Sequence, residues 1–196
     1  KFATITIEVV QAPFSVSPDV NCAAVDNNGD VSLTWNHQPV ANPNTVYHVY
    51  SATNVNGPFS LVDSLYFPDS TYLHQGVNAN VTPRFYYMTT SSDCAGMSPP
   101  SDTLSAIILD AGNNYFTCDS VQMTNGSVVG GSNLTYLWSP AAGLDDPTVF
   151  NPWATPTVST MYSLTITTPN GCVLTDSVKV DYNVGVLNYT VNTQNV

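Results

Sequence analysis

The chain of 196 residues carries a formal net charge of −11 although only 9% of its residues are charged, and Lys1, Arg84 and Lys179 are its only cations. Without a basic patch to release counterions, nucleic acid and anionic membrane surfaces are disfavoured as partners. No run of eighteen apolar residues occurs, so no helix is expected to insert into a bilayer, while 43% hydrophobic content leaves ample side chain to bury and argues against disorder.

The acidic residues are thirteen Asp and the single Glu8, and Asn, Thr, Ser, Val and Tyr are plentiful. That composition favours strands and turns over helices, and the fold class expected is all-β. The length suits one to two domains. Residues 3–10 alternate, with Ile5, Ile7 and Val9 on one face and Thr4, Thr6 and Glu8 on the other, which predicts a strand belonging to a preceding domain or linker over 1–13.

From Phe14 to Leu109 short strands come at regular intervals. Val31, Leu33 and Trp35 are expected to point inward, Tyr47 and Val49 share one face of the next strand, and Phe85 shares a face with Tyr87 on a later one. Gly57-Pro58, Pro68-Asp69 and Pro99-Pro100 supply the breaks. From Asp110 the spacing resets. Cys118 precedes Ser120-Val121-Gln122-Met123, and the Gly- and Ser-rich segment 125–133 is expected to be a flexible connection. Tyr136 and Trp138 share a strand face, a Pro- and Gly-punctuated loop spans Ser139 to Pro156, and Tyr162, Leu164 and Ile166 alternate. Val178 and Val180 close this unit, and 183–196 reads as a strand or linker into a further domain.

The four cysteines, Cys22, Cys94, Cys118 and Cys172, lack the close paired spacing of a zinc site. Two disulfides are expected, and with them an extracellular location. Three pairings are open. The local one, Cys22 with Cys94 and Cys118 with Cys172, gives each half its own staple, each contributing ~3–4 kcal/mol if unstrained.

Candidate sites are sparse. Asp26, Asn28 and Asp30 offer the oxygen ligands calcium takes, but no bidentate Glu follows, and an Asx-rich turn is the stronger reading. Asp145-Asp146 reads as a turn as well. His37, His48 and His74 are scattered, and Asp69-Ser70 near His74 reads as a loop rather than a triad. Paired carboxylates for glycoside hydrolysis are not evident, since Glu8 is alone. Trp153, between Pro152 and Ala154, reads first as packed against its own domain and, if exposed, as a ligand contact that could stack on a sugar or partner surface.

Residues 14–109 resemble a fibronectin type III domain, through Trp35, Tyr47-His48-Val49-Tyr50, Phe85-Tyr86-Tyr87 and the tail Asp93 to Ser101. One departure is Phe85 at the place of a family Tyr, which puts the corner hydroxyl bond in doubt. Residues 110–182 resemble the PKD-like, immunoglobulin-like repeats of large surface proteins of Bacteroidetes, among them gliding adhesins exported by type IX secretion. That resemblance rests on Trp138-Ser139-Pro140-Ala141, Gly143-Leu144, Asn151-Pro152, Ala154-Thr155-Pro156, Asn170-Gly171-Cys172 and Asp176-Ser177-Val178.

Together the resemblances imply two tandem Ig-like antiparallel β-sandwiches without catalytic residues, on a cell-surface adhesin or appendage. The partners implied are other domains of the same chain, copies of itself, or cell-surface and glycan ligands. They also imply an O-glycosylation sequon, Asp followed by Ser or Thr, with acceptors at Ser64, Ser70, Thr103, Ser120 and Ser177. A different reading is a carbohydrate-binding accessory region of a secreted hydrolase.

Overall fold

A computed structural model describes residues 16–39, 41, 43–92 and 96–183. The strands expected over 3–10 and beyond Asn183 lie outside them. The chain is all-β, with no helix among the described residues, and divides into two compact units. The first comprises the chain to Ile108 with Gly130–Ser132 and Pro169–Cys172; the second comprises Leu109–Val129, Asn133–Thr168 and Val173–Val196.

The first unit holds β1 (Asp19–Val25), β2 (Val31–Asn36), β3 (Val46–Ala52), β4 (Ser60–Tyr66), β5 (Thr71–His74), β6 (Phe85–Ser91) and β7 (Leu104–Ser105). Three strands in the order β1-β2-β5 face four in the order β4-β3-β6-β7, the three-against-four sandwich of fibronectin type III and related domains. Alternation sets the core, because each strand sends every second side chain inward. Val31, Leu33 and Trp35 of β2 are buried as expected, and Tyr47 and Val49 of β3 join them in the core with Val20, Ala23, Tyr86 and Met88. The hairpin between β1 and β2 turns at Gly29, whose φ of +80° and close neighbours suit glycine alone: a Cβ there would lie 2.9 Å from the Asn78 backbone.

Phe85 and Tyr87 share one face of β6, as expected. Tyr86 and Met88 are buried, whereas Phe85 and Tyr87 lie half-buried on the outer face. Aromatic residues at 85, 86 and 87 make the alternation ambiguous, and the partner strand decides it. Tyr86 sits opposite Ser51 and Met88 opposite Val49, on the buried face of β3.

The second unit follows with β9 (Tyr115–Thr117), β10 (Val121–Gln122), β11 (Ser127–Val129), β12 (Thr135–Ser139), β13 (Trp153–Ala154), β14 (Thr160–Thr167) and β15 (Val173–Tyr182), after β8 (Ile108–Asp110). Its main sheet runs β12-β14-β15-β9, with β10 paired to β13 and β11 to β8. Two details depart from expectation: β11 lies inside the Gly- and Ser-rich segment read as a flexible connection, and β9 joins β15 in parallel. Trp138, Tyr162, Leu164, Ile166, Leu174, Val178 and Val180 are buried on one face.

Cys22 of β1 forms a disulfide with Cys172, which lies in the Pro169–Cys172 segment of the first unit; their Cα atoms are 4.9 Å apart, within the span of such a bond. This corrects the local pairing. Proximity in space, not along the chain, selects the partner: Cys172 is buried at the entry to β15, whereas Cys118 follows β9 and is an exposed free thiol. Cys94 lies outside the described residues.

Candidate functional site

The two aspartate-rich motifs singled out in the sequence each hold a turn. Asp26 Oδ1 accepts the backbone N–H groups of Asn28 and Asp30 at 2.8 and 3.0 Å. Asp30 Oδ1 accepts the Gly76 N–H at 2.6 Å, and the Asn28 side chain is on the exposed rim. This is an Asx-type turn. Among the described residues no three His, Cys, Asp or Glu side chains are gathered at one place.

The loop from Ser139 to Pro156, which carries the most distinctive motifs, is built the same way. The buried Trp138 indole donates to the Val149 carbonyl at 3.0 Å, and the Tyr162 hydroxyl donates to the Ala142 carbonyl at 3.0 Å. Gly143, at φ +80°, leaves room for that hydroxyl. Asp145 Oδ1 accepts the N–H groups of Asp146 and Trp153 at 2.7 and 2.8 Å. Asp146 accepts both the N–H and the hydroxyl of Thr148, and those bonds hold its carboxyl below the usual carboxylate range. Trp153 is thereby fixed in β13 opposite Gln122, with 47% of its surface exposed. Asp145→Ala removes two charge-assisted bonds and is expected to destabilise the second unit by about 1–2 kcal/mol in a chemical denaturation series.

The histidines serve two buried tyrosines and a serine pair. The Pro68 carbonyl can only accept, so the His37 Nε2–H donates to it at 3.1 Å and Nδ1 accepts from the Tyr47 hydroxyl at 2.7 Å. His74 Nδ1 lies 2.9 Å from the Tyr86 hydroxyl, whose acidity burial pushes to about 12. The buried tyrosine hydroxyl of β6 is thus at Tyr86, with a histidine partner. His48 lies between the Ser64 and Ser91 hydroxyls at 2.9 and 2.8 Å. With both ring nitrogens so engaged, no carboxylate sets the tautomer a nucleophilic serine needs. The Ser70 backbone carbonyl accepts the Trp35 backbone N–H at 3.1 Å, while His74 Nδ1 lies against the Tyr86 hydroxyl.

Burial lowers the His48 pKa, and burial with the Arg84 charge lowers that of His74, against the opposing pull of Asp30. As pH falls below the ordinary value of 6.5, the unfolded chain binds protons that these two folded histidines refuse, so stability declines. A melting series is expected to show a midpoint that is level above that pH and falls as the medium is acidified through it. A midpoint rising over the same window would contradict the lowered pKa of these two half-buried histidines.

An aromatic cluster on the outer face of the β4-β3-β6-β7 sheet escaped the sequence reading. Tyr50 and Tyr87 stack with centroids 4.7 Å apart, and Phe59 packs against Tyr87 at 4.8 Å. Tyr50 also reaches the Met97 sulfur at 3.9 Å. The signal was present in the outward phase of Tyr50 and Tyr87, but it becomes legible only once the register of β6 is known. On the same unit an open cavity of about 350 Å³ has Asp19 and Asp102 as its charged lining among the described residues.

Of the sequon residues, Thr103, Ser120 and Ser177 are exposed, whereas Ser64 and Ser70 are half-buried. Ser64 is further committed to His48.

No family model and no curated protein matches the chain. Among solved structures it is similar to an Fn3-like protein from Clostridium thermocellum, at 22% identity over 50% of this chain and 95% of that one, with a TM-score of 0.39. It is also similar to the FN1–FN3 domains of chicken CNTN1, at 14% identity over 87% and 68% of the two chains, with a TM-score of 0.42. A third similarity is to a C-terminal fragment of intimin solved with the intimin-binding domain of its translocated receptor, at 9% identity over 87% and 65%, with a TM-score of 0.38. The fold assignment rests on the strand order: an all-β chain of Ig-like sandwiches.

Proposed function

We propose that this chain is a non-enzymatic segment of a long secreted or surface-anchored bacterial protein, an adhesin or extracellular appendage, in which it serves as spacer and interaction module. The observation that carries the reading is the use of its polar groups. Asp26, Asp30, Asp145, Asp146, His37 and His74 each hold a turn or a buried tyrosine, and what catalysis would need from them is already engaged. The disulfide supports an oxidising, extracellular setting, and the exposed Thr103, Ser120 and Ser177 are the sequon positions open to O-glycosylation.

The half-exposed Trp153 favours a second reading, a carbohydrate-binding accessory module, because an indole face can stack on a sugar ring. A glycan array run with the whole chain decides between the two. The spacer reading expects no sugar bound above background. Tight binding that Trp153→Ala abolishes would establish the accessory reading in its place.

A further inference from the structure

We infer that Cys22, Cys172 and strand β15 form a tie that carries tension past the body of the chain, so that the sandwich strands between the two cysteines are not loaded while the disulfide is intact. The inference deepens the spacer reading above, and rests on it for its purpose; its operation rests only on covalent connectivity and strand geometry.

Tension entering before Cys22 and leaving after Tyr182 has two covalent routes. One follows the backbone through the residues between the cysteines, which are separated by 150 positions. The other crosses the disulfide directly. The second is far shorter and becomes taut first, so the first stays slack in terms of load. Strands β2 through β14 all lie on the slack route.

Beyond Cys172 the load passes straight into β15, ten residues from Val173 to Tyr182. A β-strand rises about 3.3 Å per residue, and a fully stretched chain reaches only about 3.3–3.6 Å. Strand β15 is therefore close to its greatest length already, and pulling along it gives almost no extension. It is also held sideways, by eight register pairs to β14 and by three to β9. Before Cys22, only Asp19, Val20 and Asn21 of β1 can peel from β2. A chain whose covalent load path is short needs no strength from its sandwich cores to resist stretching.

The test is single-molecule force extension of the whole chain, handled at both ends, with the Cys118 thiol alkylated to prevent exchange. In the oxidised state the expected trace contains no release beyond the segments outside the two cysteines. After reduction with dithiothreitol, or in Cys22→Ser, the same pull gains roughly 500 Å of contour from the freed residues. Should Cys22→Ser fail to fold, reducing the folded wild-type chain under low load gives the same comparison. A gain of that size in the oxidised chain would overturn the inference, as would a reduced trace no longer than the oxidised one. Such a failure leaves the glycan-array outcome untouched, so the tie and the spacer reading fail separately.

Discussion

Tyr86→Ala is expected to cost about 3–5 kcal/mol, the loss typical of a large buried aromatic, whereas Phe85→Ala next to it is expected to cost no more than about 1 kcal/mol. Tyr86 is fully buried in the core with Tyr47, Val49 and Met88, while Phe85 sits half-buried opposite Ala52 on the outer face. Because side chains alternate strictly along a strand, a slip of one residue would exchange the two outcomes. Urea denaturation of both variants reads the register of β6 directly. Tyr86→Phe separates the hydroxyl from the ring: it keeps the packing but leaves His74 Nδ1 without its hydrogen-bond partner, and is expected to cost about 1 kcal/mol. A larger loss in Phe85→Ala than in Tyr86→Ala would show that the other face of β6 points inward.

Breaking the Cys22–Cys172 bond is expected to lower stability by about 2–5 kcal/mol, toward the upper end because so long a loop loses the most entropy on closure. The two cysteines stand 150 positions apart, so the cross-link restrains nearly the whole unfolded chain rather than one hairpin. Guanidinium denaturation with and without reductant measures the effect, and Cys172→Ser should reproduce the reduced value. Cys118→Ser should leave stability within about 0.5 kcal/mol of wild type, since that thiol is exposed and free. A large loss on changing Cys118 and none on changing Cys22 would contradict the pairing.

The sequence showed its strands where period and partner agree. In β2, Val31, Leu33 and Trp35 alternate with small polar residues, so only one face can be apolar, and β14 reads the same way through Tyr162, Leu164 and Ile166. It was ambiguous where consecutive residues are all large, as at 85–87, because the choice of face is made by the neighbouring strand. Gly and Ser density misled at 125–133: β11 is short and pairs with β8 through backbone groups, which composition does not display. The disulfide was illegible for a related reason. Any of three pairings satisfies four cysteines, and the true partner is selected by folding that brings Cys172 to β1.

The candidate site was legible mainly as chemistry declined. The turn readings for Asp26–Asp30 and Asp145-Asp146 follow from Asx residues seeking nearby N–H groups, which is local and therefore visible. The pairing of His37 with Tyr47 and of His74 with Tyr86 depends on strand and loop geometry across sequence separations of 10 and 12, and no spacing rule announces it. The stacked Tyr50 and Tyr87 are likewise a product of register.

The account of a chain held as one stapled structural segment is tested most directly by mapping its disulfides. Proteolysis without reductant, followed by mass spectrometry, is expected to yield a linked peptide pair containing Cys22 and Cys172 and a Cys118 peptide open to alkylation. Recovery of Cys22 linked to Cys94, and Cys118 linked to Cys172, would contradict it, removing both the long-range staple and the tension path through β15.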